Sequence, residues 1–135
     1  MKTFALRLVF FMAFTFGLSG CDKTSEEQVR IEGVYKGTFE RRGLQDSKKS
    51  NVTITFEQET WTGTGDLQKY PALCNGRFLI TMNQIKFSNL CSWPGDFDST
   101  YVLSGDYALQ FTGGTMILTK RYSSGLTDVY TLTKQ

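Results

Sequence analysis

Few residues in this 135-residue chain are equipped for chemistry. It has no histidine, which removes the commonest general base and the commonest metal ligand. Cys21, Cys74 and Cys91 are its only thiols. The most site-like carboxylate pair is Asp96 and Asp98, within CSWPGDFDST. A calcium site needs about six to eight oxygens, more than this segment offers. Trp93, Pro94, Gly95 and Asp96 read instead as a turn, with Phe97 packing over the end of the fold. The expectation is no catalytic group, no metal and no cofactor. The segment RRGLQDSKK, residues 41–49, sets four basic residues around Asp46. It reads as a solvated loop, with lipid headgroups or an acidic partner as the functional alternative. Tyr35, Phe39, Trp61, Tyr107 and Phe111 form the candidate ligand-binding set, able either to line a pocket for a small apolar molecule or to fill a core.

What the cysteines do depends on the compartment. Lys2 and Arg7 precede an apolar run from Leu8 to Leu18, too short to cross a bilayer core of about 30 Å as a helix. Residues 1–20 therefore read as a cleaved signal peptide. The run closes on Leu18, Ser19, Gly20 and Cys21, which resembles the lipobox of bacterial lipoproteins. That resemblance implies that Cys21 becomes the first residue of the mature chain and carries fatty acids of the palmitate class. Two or more acyl chains hold a protein stably on a membrane, at about 0.8 kcal/mol per buried methylene. The expected location is the cell envelope, with the domain outside the cytoplasm. Asp22 resembles the inner-membrane retention signal of enteric bacteria, and both inner and outer membranes stay open.

Residues 1–20 contain Lys2 and Arg7 and no acid, so the rest of the chain balances 13 basic against 13 acidic residues. A neutral chain with no basic block longer than a pair lacks the charge footprint of nucleic-acid binding, and that class is rejected. With Cys21 acylated in an oxidising space, Cys74 and Cys91 form an even pair, and a disulfide is expected. A metal pair and two buried thiols are the alternatives, but two thiolates without histidine complete a zinc site only with carboxylates.

Residues 22–30, DKTSEEQVR, show no apolar period and read, with Cys21, as a lipidated tether. From residue 31 to 135 the chain reads as one all-β domain, in short runs rich in Val, Ile, Thr, Phe and Tyr between turn residues. Nine strands are drawn at 31–41, 51–57, 60–67, 76–82, 84–89, 99–104, 106–112, 114–121 and 127–134. Ile31, Gly33, Tyr35, Gly37 and Phe39 share one face, opposite Glu32, Lys36 and Glu40, so one face is buried and the other wet. Glycines at 33, 37, 63 and 65 permit the sharp coiling of a small barrel. The expected architecture is an antiparallel up-and-down barrel of eight or nine strands, with a β-sandwich as the alternative.

Register tests the cysteines. A turn centred between Met82 and Asn83 sets Ile80 opposite Ile85 and Phe78 opposite Phe87. Two further steps of two set Gly76 opposite Asn89 and Cys74 opposite Cys91. Directly opposed residues lie about 4.5–5.5 Å apart at Cα, within disulfide range. Sliding the turn by one residue breaks the facial match.

Gly33, Val34 and Tyr35, the GTGD of residues 63–66, and the closing pattern YVLSGDYALQF, TMILTKR and DVYTLTK together resemble a small lipocalin-like, calycin-type lipoprotein domain. The resemblance spans most of residues 31–135. Two functional expectations follow: a membrane-anchored barrel that binds or carries a small apolar ligand, or a filled-core envelope lipoprotein that interacts with, inhibits or supports another envelope protein.

Overall fold

The computed structural model describes residues 28–135; the expected signal peptide, the expected acylation site at Cys21 and residues 22–27 of the expected tether lie outside the described residues. Eight strands follow one another: β1 Gly33–Arg42, β2 Lys49–Glu57, β3 Thr60–Gly65, β4 Asn75–Thr81, β5 Gln84–Asn89, β6 Gly105–Thr112, β7 Thr115–Arg121 and β8 Thr127–Lys134. Each pairs antiparallel with its sequence neighbours, and β8 returns to β1 through Gly37↔Leu132 and Phe39↔Tyr130. The result is a closed up-and-down barrel, not the sandwich alternative.

Alternation builds the wall. In β2, Ser50, Val52, Ile54 and Phe56 are buried while the residues between them are not, as a period of two requires when one face is packed. Two glycines allow the strands to crowd. A Cβ on Gly37 would collide with the Thr131 carbonyl of β8, and one on Gly76 with the Ser88 carbonyl and the Trp61 indole. Only a residue without a side chain fits such close backbone approaches.

The two ends of the barrel differ. Two-residue turns at Gln58–Glu59, Met82–Asn83 and Gly113–Gly114 join β2 to β3, β4 to β5 and β6 to β7 at what we call the hairpin end. The connections 43–48, 66–74, 90–104 and 122–126 gather at the opposite, loop end. Residues 28–32 enter at the hairpin end, where Ile31 is 2% exposed and joins the core.

The β4–β5 ladder has the anticipated register, with Gly76↔Asn89, Phe78↔Phe87 and Ile80↔Ile85. Cys74 and Cys91, one ladder step beyond Gly76 and Asn89, form a disulfide with Cα atoms 6.3 Å apart. The strand expected over 99–104 is absent. Asp98 accepts hydrogen bonds from Thr100 N at 2.9 Å and Thr100 Oγ1 at 2.6 Å, and Ser99–Tyr101 turns into a single 3₁₀ turn. A short acidic side chain that caps the next backbone amides competes with strand pairing. In place of a strand ladder, the stretch has one isolated parallel bridge, Ala72↔Val102.

Candidate functional site

The barrel interior was the first candidate. Tyr35, Phe39, Trp61 and Tyr107 all point into it and are at most 5% exposed. Their rings meet one another and rings from strands that are not neighbours. Trp61 of β3 lies edge-on to Phe87 of β5 at 5.8 Å, and Phe56 of β2 reaches the same Phe87 at 6.3 Å. Tyr107 of β6 meets Tyr130 of β8 at 5.9 Å, and Phe39 meets Tyr130 at 4.8 Å. Trp61–Phe87 and Tyr107–Tyr130 take the edge-to-face geometry that aromatic quadrupoles favour, while Phe56–Phe87 and Phe39–Tyr130 are tilted. Eight strands enclose an interior that side chains of this size fill.

Phe111 is the exception. It shares the inward parity of Tyr107 and Leu109, yet it is 45% exposed. The β5–β6 ladder ends at Gln84↔Ala108, whereas β6 and β7 continue pairing to Thr112↔Thr115. Phe111 therefore sits on an overhang past the rim, with no opposite wall to cover it.

The loop end holds a polar cluster that the sequence reading missed. Arg41, the first of the four basic residues in 41–49, is 1% exposed. Its Nε donates to Asp128 Oδ1 at 2.6 Å and its Nη2 to Asp128 Oδ2 at 2.8 Å. Nη1 donates to Thr100 Oγ1 at 2.7 Å and to Asp98 Oδ2 at 3.4 Å, and Nη2 also to the Thr100 carbonyl at 3.0 Å. All five guanidinium N–H groups are engaged within the fold, in a fork geometry suited to a carboxylate. The plane also lies 3.7 Å over the Tyr101 ring. Burial pulls this guanidinium down, but the hydrogen bonds and charge of Asp128 outweigh it and hold Arg41 above its ordinary value. The Tyr122 hydroxyl sits 2.8 Å from Asp128 Oδ2 and 3.0 Å from the Thr100 carbonyl. Burial, then its bond to Asp128, raises its pKa. Lys120, also facing inward, donates to the Ser104 carbonyl at 2.8 Å, and burial lowers it.

This cluster joins the barrel wall to its cap. Loop 66–74 and loop 90–104 are cross-linked by the disulfide at their roots. Ala72 N donates to the Tyr101 carbonyl at 3.0 Å, and Tyr70 packs on Tyr101 at 5.1 Å and on Phe39 at 5.2 Å. Arg41 then anchors Thr100 to β1 and β8. The cap is a fixed part of the fold, closing the mouth over the aromatic interior.

The remaining candidates resolve by position. Asp98 caps the 3₁₀ turn, and bonds from Thr100 hold its carboxyl below the usual range. Asp96 is exposed at a bend over residues 95–97. The basic segment does not present four free cations, because Arg41 is buried and Arg42 pairs with Glu40 at 2.6 Å. Among the described residues, no three Cys, Asp or Glu side chains converge as a metal site would require. What the loop end does present is apolar: Leu90 is 68% exposed, with Leu44 and Leu67 close to two-fifths. On the same connection as Leu90, half-buried Trp93 and Phe97 meet with rings 5.7 Å apart, and Lys69 lies 5.1 Å over Phe97.

Arg41 was legible in principle. It is the next inward position after Tyr35, Gly37 and Phe39, and Asp128 shares the parity of Tyr130 and Leu132; a charge at an inward position calls for a partner of opposite sign. In comparisons with known proteins, no family model, no curated protein and no solved structure matches this chain.

Proposed function

We propose that this protein is an envelope lipoprotein, anchored through Cys21, that acts through its loop end as a protein-interaction module, of the inhibitor or docking type. The observation that carries the reading is the contact between rings of non-neighbouring strands, Phe56 with Phe87 and Tyr107 with Tyr130. A carrier barrel keeps its axis open for cargo; here a small apolar ligand has to separate those rings and forfeit their dispersion contacts. Activity then belongs to the surface. The exposed Leu90, with Trp93 and Phe97, supplies the kind of aromatic and aliphatic patch that anchors protein interfaces. The disulfide and Arg41 hold that patch in place, which lowers the ordering cost of binding. The lipocalin-like reading enters on topology, the eight-stranded up-and-down barrel, and not on a cavity.

The test places a photo-crosslinking residue at Leu90 and, as a control, at Lys86 on the outer wall, in cells making the full chain. A discrete adduct of protein mass at Leu90 and none at Lys86 is expected. Native mass spectrometry of the mature protein is the counter-measurement. A stoichiometric small apolar molecule, released only on denaturation, would overturn this reading and establish the carrier.

A further inference from the structure

The hairpin end carries an apolar surface of its own. Met82, at the tip of the β4–β5 turn, is 83% exposed; Leu79 on the outer face of β4 is 62% exposed, and Phe111 on the β6 overhang 45%. The two tips adjoin, since Leu109 N donates to the Asn83 carbonyl at 2.7 Å and Gln84 pairs with Ala108. These two tips carry no charge, since residues 78–85, FLITMNQI, and 107–119, YALQFTGGTMILT, contain no Asp, Glu, Lys or Arg. Charges at this end lie at its margin, on Arg30 and Glu32 of the entering chain, on Glu57 and Glu59 of the third tip, and on Lys86 opposite Leu79. The loop end, by contrast, carries Asp46 and Lys48 in the connection 43–48, with Arg42 and Lys49 on the strand ends that flank it. Val29, the second described residue, is 39% exposed and shares with Leu79 the lining of a 280 Å³ groove that Arg30 and Glu59 also line.

Where the chain leaves this surface decides what covers it. Cys21 precedes Gln28 by seven residues, a reach of at most about 25 Å at full extension. Strands of eight to ten residues set the loop end roughly a further 25 Å away along the wall. An acyl group on Cys21 therefore brings the bilayer to the hairpin end first. The anchor also makes the encounter intramolecular, so a patch too small to bind lipid from solution is held at a high effective concentration.

We infer that the hairpin end is a membrane-contact surface: Met82, Leu79 and Phe111 insert into the headgroup and upper acyl region of the bilayer that holds Cys21, and the loop end points away from it. This rests on the anchor proposed above. Interfacial apolar groups settle about 5–10 Å into that boundary, and three exposed side chains match such a depth better than an aqueous surface.

The experiment uses the full chain, purified from membranes and reconstituted into phosphatidylethanolamine–phosphatidylglycerol vesicles containing 6,7-dibrominated phosphatidylcholine. Met82→Trp and Leu79→Trp report the hairpin end and Leu44→Trp the loop end, each read as the increment over the parent with Trp61 and Trp93. Both hairpin-end probes should lose about half of their added emission to bromine, because contact at that depth reaches the quencher, and Leu44→Trp should lose none. Equal quenching at the two ends in acylated protein would overturn the inference and leave the anchor standing. An intact mass without fatty acid on Cys21 would remove the anchor, and this inference with it. Unquenched hairpin-end probes in a protein that is dimeric in detergent would assign the patch to a second copy.

Discussion

The Arg41–Asp128 pair makes the sharpest energetic prediction. Both side chains are 1% exposed and their two direct bonds measure 2.6 and 2.8 Å. Arg41→Met leaves the Asp128 carboxylate with the Tyr122 hydroxyl alone. Asp128→Leu leaves a guanidinium that still reaches Thr100 and stacks on Tyr101. Removing one partner of a buried pair costs about 3–5 kcal/mol, because the other stays charged and desolvated. Arg41→Met should fall at the upper end of that range and Asp128→Leu at the lower. Replacing both by apolar side chains of similar volume removes the stranded charge, so the double variant should lose only about 1–2 kcal/mol, chiefly the tie to Thr100. The pair should thus show a coupling of more than about 2 kcal/mol in a double-mutant cycle. Urea unfolding followed through Trp61 reads it, since this indole is buried against Phe87 and donates to the Ser88 carbonyl at 3.1 Å. Each single change should lower the midpoint by more than about 1 M at unchanged slope. Additive losses, with a coupling under about 0.5 kcal/mol, would refute the reasoning, because they would mean that water reaches both groups.

Three further outcomes follow from the packing and the cross-link. Reducing Cys74–Cys91, which spans 17 residues, should lower stability by about 3 kcal/mol in the loop-entropy account, measured as the shift in urea midpoint with and without reductant. Phe39→Ala, at a fully buried ring, should cost about 3–5 kcal/mol, whereas Phe111→Ser should cost under about 0.5 kcal/mol; a large loss at Phe111 in the same assay would contradict the overhang. Burial raises Tyr35, Tyr101, Tyr107, Tyr122 and Tyr130 above their ordinary value near 10. Groups with a raised folded pKa stabilise the fold below the unfolded value and lose that contribution as pH rises through the folded one. Stability should therefore fall above pH 10, and most phenolate absorbance should appear in one cooperative step with unfolding instead of as a gradual titration.

The parts of the fold governed by alternation were readable in the chain, and the parts governed by tertiary closure were not. Phe78, Ile80, Ile85 and Phe87 favour one register because a one-residue slip breaks their facial match, and the cysteines follow from it. Phe111 obeys the same parity and still ends in solvent, since the length of β5 relative to β6 decides whether a wall faces it. Tyr101, Val102 and Leu103 read as strand by composition, but Asp98 two residues before Thr100 supplies a competing local bond. Arg41 looked like one cation among four in a loop; its fate turned on β8 arriving beside β1 with Asp128 in register.

A filled barrel moves the question of function to its ends, and the ends are built differently for physical reasons. Tight two-residue turns need few polar side chains to satisfy their backbone, so the β6–β7 tip can be uncharged from residue 107 to 119. Long connections cannot be left that way, because each unpaired backbone group needs a partner. At the loop end those partners are Thr100, Asp98, Ala72 and the Arg41 fork, and the disulfide removes freedom that the hydrogen bonds alone would leave. An unsupported loop with Leu90, Trp93 and Phe97 at its surface would collapse onto the barrel or sample many shapes. Holding it at both roots keeps apolar side chains exposed in one arrangement. That arrangement has a use if a partner meets it, which is why the cap, and not the aromatic interior, is where we place the protein's activity.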